Sequence, residues 1–297
     1  MTSSSGITTT TVGDIDLAYE TFGDPGDTPL LPVSGLGSQM LSYADELCAD
    51  LAAQGLFVIR FDNRDVGLST HLHSAGLPRL GDVRRGDRSS VHYELADMAA
   101  DAAGLVEALG LDSVHLVGVS MGGMIAQRVA ITHPERVRSL TSIMSTTGDR
   151  SVGGASEAAQ AVLYAPPAND RDEAIERQLQ TSRVIGSPGF PFDEEAIRAR
   201  AGLAYDRAHD PAGVARQMAA IVTSPDRTAD LGKVAVPTLV IHGSDDALVN
   251  VSGGRATAAA VPGSELVVIE GMGHDLPRAL WPELTERITA HIKRAEG

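Results

Sequence analysis

Residues 114–124 read Val114-His115-Leu116-Val117-Gly118-Val119-Ser120-Met121-Gly122-Gly123-Met124. An apolar run of strand length ends in Gly-x-Ser-x-Gly, and a helical pattern reaching Thr132 starts at once. The context carries more than the five-residue match. A serine on a sharp strand-to-helix turn has strained backbone angles, and side chains two residues to either side would collide there. Gly118 and Gly122 suit that elbow. The Ser120 hydroxyl then projects at the carboxyl edge of a sheet, where open α/β sheets bind their ligands. Ser120 is the candidate nucleophile.

Reading outward, Ile7–Val12 and Ile15–Tyr19 flank the turn Gly13-Asp14 as a hairpin. Pro29–Val33 is a short strand that stops at Ser34-Gly35-Leu36-Gly37. A helix is expected over Met40–Gln54, with Leu47 and Leu51 four apart and Gly55 as its stop. Phe57–Phe61 reads as a buried strand, closed by the charged stretch Asp62–Gly67. The polar segment His71–Arg88 reads as loop. Leu95–Leu109 forms one amphipathic helix, and Val137–Met144 the strand after the elbow helix. Strand and helix alternating in this way imply a parallel sheet.

The alternation breaks at Ser145. From there to Leu231 the candidates are helical only: Asp172–Val184, Asp193–Arg207 and Pro211–Thr223. Strands return at Pro237–His242 and Glu265–Glu270, and Trp281–Arg294 is a closing helix. The expected fold class is α/β, a mostly parallel twisted sheet with helices on both faces and an inserted helical cap. The expected organisation is a first core part over 1–144, the cap over 145–231 and a second core part over 232–297.

Composition sets the outer limits. The chain has 297 residues, 43% hydrophobic and 21% charged, the balance of an ordinary globular protein. With 24 Lys and Arg against 39 Asp and Glu the formal charge is −15, which repels nucleic acid and anionic lipid. A single cysteine, Cys48, excludes an intrachain disulfide and a cysteine zinc cage. No run approaches the ~18 apolar residues of a membrane span. The opening MTSSSGITTTTVGD lacks a basic and apolar targeting pattern, so the expected location is cytoplasmic.

A serine hydroxyl needs a base, and the base needs an orienting carboxylate. Both occur after later strands. His242-Gly243-Ser244-Asp245-Asp246 follows one, and Gly271-Met272-Gly273-His274 follows the next. A loop histidine between the Gly271-Met272-Gly273 turn and the helix start Asp275-Leu276-Pro277 can lean over the serine, so His274 is the candidate base. His115, His133 and His242 sit at strand or helix positions and read as structural. His71-x-His73 has no acidic or cysteine partner nearby in the sequence, so no metal site is expected. Met40, Met124, Tyr164, Phe190, Phe192 and Met218 are candidates to line a pocket, or to pack in the core or cap.

The order Ser…Asp…His completes a resemblance to the α/β-hydrolase superfamily over essentially the full chain. Val58-Ile59-Arg60-Phe61-Asp62-Asn63-Arg64-Asp65-Val66-Gly67-Leu68-Ser69-Thr70 resembles the capped esterase group that includes the bacterial aclacinomycin methylesterases. The segments around Ser120 and His274 resemble it as well. The resemblance implies a small-molecule ester substrate, an acyl-enzyme, no cofactor and a helical cap over the pocket. It places the nucleophile on Ser120 and the base on His274. Its Gly-x-x-Asp pattern places the acid at Asp246, with the adjacent Asp245 as the alternative; the proline that often follows is Ala247 here.

The oxyanion hole needs two backbone N–H groups. Met121 supplies one, and the Ser34–Gly37 loop, at Leu36, the other. Many relatives start that loop with His-Gly where this chain has Ser34-Gly35, so the exact donor stays open. The Asp62–Ser69 loop reads as support for it. The same triad serves lactone hydrolysis, carbon–carbon hydrolysis and perhydrolysis, and the fold also serves ligand receptors. Dehalogenases and epoxide hydrolases need aspartate at the elbow, where this chain has Ser120.

Overall fold

The computed structural model describes residues 4–297; residues 1–3, part of the opening stretch read for targeting, lie outside the described residues. The strands are β1 (Thr8–Val12), β2 (Ile15–Phe22), β3 (Thr28–Val33), β4 (Leu56–Phe61), β5 (Val114–Val119), β6 (Val137–Ile143), β7 (Thr238–Gly243) and β8 (Glu265–Ile269). They form one sheet in the order β1-β2-β4-β3-β5-β6-β7-β8. β1 and β2 pair antiparallel, as do β2 and β4, and the pairings from β4 through β8 are parallel.

A parallel sheet needs cover on both faces, and β5 shows why. Leu116 packs into a cluster with helices α3 and α4, after α1 (Asp45–Ala52) and α2 (Leu80–Arg84) the helices of Leu95–Ala108 and Met121–Thr132. Its neighbour Val117 points the other way, into a cluster with Leu47 and Leu51 of α1 and with Leu284, Ile288 and Ile292 near the chain's end. Each such side chain contributes about 1.5–3 kcal/mol on burial. The strand therefore anchors the elbow from both sides.

Between β6 and β7 lie α5 (Glu157–Leu163), α6 (Arg171–Ile185), α7 (Glu194–Arg207), α8 (Pro211–Thr223) and α9 (Thr228–Leu231), with no strand among the described residues. The second half adds α10 (Ser252–Ala260) and α11 (Trp281–Glu296).

Three expectations need correction. The helix over Met40–Gln54 is broken: a 3-10 turn at Met40–Ser42 is followed by α1 only from Asp45. Tyr43 interrupts it, because its hydroxyl donates to Val33 O and Val117 O and its own carbonyl accepts from Arg60. The segment His71–Arg88 is not all loop, since it holds a 3-10 turn at His73–Ala75 and the short α2. And α5, α9 and α10 join the helices that periodicity shows.

The strand order has a functional consequence. From β3 the chain steps to β4 on one side, and β5 pairs on the other. Such a switch point opens a crevice at the carboxyl ends of the two strands. Ser120 follows β5 and Leu36 follows β3, so both stand at its rim.

Candidate active site

Ser120 occupies the junction of β5 and α4 with φ 57° and ψ −120°. Positive φ in a non-glycine residue costs roughly 1–3 kcal/mol and persists only where the surroundings enforce it. They do. A Cβ on Gly118 would lie 2.2 Å from Gly122 O, and one on Gly122 would lie 2.0 Å from Val33 O. The Ser120 N–H donates to Ile143 O, and Ser145 Oγ donates to Ser120 O at 2.8 Å.

From the far side, His274 Nε2 lies 2.9 Å from Ser120 Oγ, and His274 Nδ1 lies 2.7 Å from Asp246 Oδ2. With Nδ1–H donating to the carboxylate, Nε2 is left to accept from the serine. Asp246 Oδ1 accepts the N–H groups of Leu248 and Val249. Burial pushes the Asp246 carboxyl up, but the bonds from His242 and His274, the His274 charge and the Val249 N–H outweigh it and hold it at about 2. The neighbouring Asp245 faces elsewhere: its carboxylate accepts from Ser244 Oγ and Gly271 N. The geometry thus joins Asp246, not Asp245, to the histidine.

The excursion between β6 and β7 braces the histidine loop. The His274 N–H donates to Ile185 O at the end of α6. Ser187 Oγ accepts from Gly273 N and donates to Asp275.

Met121 opens α4, where the first turn offers its N–H no carbonyl. Leu36 is half-buried on the turn after β3. A Cβ on Gly35 would lie 3.4 Å from Ser120 Cβ and 3.9 Å from Oγ, so this turn runs beside the serine. The Asp62–Ser69 loop holds the turn in place. Asp62 Oδ1 accepts the Met40 N–H, and Asn63 Nδ2 donates to Ser34 O.

Of the apolar residues named from sequence, Met40, Met124 and Met218 are buried and Phe190 is half-buried. Tyr164 and Phe192 are exposed, each under an arginine, Arg84 and Arg183.

His242 is closer to the chemistry than a structural strand histidine need be. It is fully buried, its Nε2 lies 2.7 Å from Val249 O and 3.5 Å from Asp246 Oδ2, and so it backs the carboxylate. No sequence spacing signals this, apart from its lying four residues before Asp246 on the same strand end.

His71 and His73 have an acidic neighbour in space that the sequence does not show. Asp210, distant in sequence, brings its carboxylate to them, and ligand atoms of the three lie within 4.8 Å of one another. The donors already have protein partners, however. His71 Nε2 meets Gly67 O at 2.9 Å, its Nδ1 meets Asp210 at 2.8 Å, and Asp210 also accepts from Arg216. The cluster ties the loop after β4 to the start of α8.

A family model described as alpha/beta hydrolase fold matches residues 28–277. The rhodomycin D methylesterase DnrP of Streptomyces peucetius is 32% identical over 305 residues, covering 95% of this chain and 96% of that protein. The rhodomycin D methylesterase DauP of Streptomyces sp. strain C5 is 31% identical over 308 residues, covering 96% and 97%. Among solved structures, the enol-lactonase from Burkholderia xenovorans LB400 superposes with a TM-score of 0.75 at 20% identity, over 96% of this chain and all of that one. No described helix is long and apolar enough to cross a membrane.

Proposed function

The chain belongs to the α/β-hydrolase fold family, and from that premise we propose that it is a serine hydrolase of carboxylic esters. His274 takes the Ser120 proton as Oγ attacks the ester carbonyl. Asp246 holds the imidazole tautomer and stabilises the imidazolium that forms. The Met121 and Leu36 N–H groups stabilise the oxyanion, helped by the positive end of α4. The alcohol leaves with the proton from His274, and water activated by the same histidine releases the acid. Residues 145–231 act as a cap over the pocket. Methyl esters are the first substrate class to screen, by the likeness to the two methylesterases.

One observation carries this reading: an unbroken path from Ser120 Oγ through His274 to Asp246, with steps of 2.9 and 2.7 Å. The direct test compares purified wild type with Ser120→Ala on short p-nitrophenyl esters. Wild type is expected to turn over, and the variant to fall by at least about 10³-fold. A folded variant that keeps the wild-type rate would remove Ser120 from the mechanism.

A further inference from the structure

Gln217 lies on α8 and is fully buried. Its side chain is used entirely on the core. Oε1 accepts the Gly37 N–H at 2.9 Å, and Nε2 donates to Arg64 O at 2.7 Å. One side chain thus bonds the loops after β3 and β4 together, from a helix 180 residues further along the chain than Gly37.

The bond to Gly37 matters because of the turn it holds. The Ser38 N–H donates to Gly35 O at 3.2 Å, which closes a β-turn with Leu36 and Gly37 at its centre. Gly37 has φ +64°. Positive φ at the third turn position is the mark of type II, and types I and II differ by a rotation of the central peptide. Here that peptide joins Leu36 to Gly37, and its N–H is the group Gln217 holds. If it rotated, a carbonyl would swing toward Gln217 Oε1 and the ψ angle of Leu36 would change, so the turn that carries the Leu36 N–H would lose its tie to α8.

We infer that Gln217 is a positioning residue for the oxyanion hole, locking the turn so that the Leu36 N–H keeps its aim beside Ser120. The platform is firm. Adjacent Arg216 makes two bonds to buried Asp65, at 2.7 and 2.8 Å. Val214, on the same helix, would sit 3.1 Å from a Cβ on Gly37, so helix and turn are in close contact. In this arrangement the segment over the site is part of the catalytic apparatus and not only a wall of the pocket. The inference rests on the esterase reading and on Leu36 as a donor.

The experiment uses the full chain as wild type, Ser120→Ala, Gln217→Met and Gln217→Glu. The readouts are kcat and KM on p-nitrophenyl butyrate and inhibition by a trifluoromethyl ketone, whose serine adduct carries an oxyanion. Methionine keeps the length and loses the acceptor. Gln217→Met is expected to lower kcat about 10- to 100-fold with KM within about twofold, and to weaken the ketone by a similar factor. Glutamate keeps an acceptor for Gly37 and is expected to recover most of kcat. If Gln217→Met does not fold, Gln217→Asn replaces it, being polar but one methylene too short to reach.

Three results separate the claims. A kcat within about threefold of wild type in the methionine variant, beside an inactive Ser120→Ala, overturns the positioning role alone. A loss confined to KM overturns it as well, because it would mean a substrate contact. A Ser120→Ala variant as active as wild type overturns the esterase reading first, and this inference with it.

Discussion

At Asp246 burial and hydrogen bonding act in opposite directions, and bonding wins. Its carboxyl is held at about 2 against an ordinary 3.8. A carboxyl depressed in the folded state adds stability that is complete above its ordinary value and is lost as pH falls through the folded one. That stability is about 2 kcal/mol, and about half of it is gone by pH 3. Asp246→Asn should therefore be less stable than wild type at pH 7, with a gap that narrows below about pH 4. Urea unfolding of both proteins at several pH values measures this, and a pH-independent gap would contradict it. In catalysis the same substitution presents an amide to His274 Nδ1, which can hold the wrong tautomer, so kcat should fall by up to about 10⁴-fold with folding intact.

α8 meets the core through charges that water hardly reaches. The Arg216 side chain is 1% exposed and that of its partner Asp65 is 0% exposed. Burying such a pair gains little net, but removing one partner strands the other, at a cost of about 3–5 kcal/mol. Arg216→Ala should lose about that much in urea unfolding, and a loss under about 1 kcal/mol would mean that Asp65 finds another partner or water. Contacts of this kind explain what was legible in the sequence. β5, α3, α4 and α8 lie where periodicity places them, within a residue or so, because buried faces impose the apolar spacing. The elbow and the glycine-flanked His274 are legible for a similar reason: the chemistry constrains residue types over a few positions. α10, Ser252–Ala260, is not, since its Ser-Gly-Gly start has neither an apolar stripe nor good helix formers. The break at Tyr43, the Asp210 partner of His71 and the Gln217 bond to Gly37 are set by tertiary contacts alone, which no local window contains.

The whole molecule carries a formal charge of −15. A field of that sign slows the approach of anions and is screened by salt, with a Debye length of about 8 Å at 0.15 M. For an ester bearing a carboxylate, kcat/KM should rise about two- to tenfold between low and moderate salt, while a neutral ester of similar size stays level. Stopped-flow or initial-rate series with both substrates test this, and parallel salt responses would show that the net charge does not steer substrate. The sheet order has a different consequence. β6 and β7 are paired neighbours, with Leu140 opposite Thr238 and Ile143 opposite Ile241. The chain leaves at Ile143, the carboxyl end of β6, and resumes at Thr238, the amino end of the parallel β7, so the sheet itself fixes where the two ends of the helical segment lie. Closing such a loop costs only about 0.6 kcal/mol more for each doubling of its length. A segment of another length can be transplanted between the same two strands, with the sheet indifferent to how much is carried. The compatibility rule is set elsewhere: an incoming segment must bring equivalents of Arg207, Arg216 and Gln217 to meet Asp62, Asp65 and Gly37.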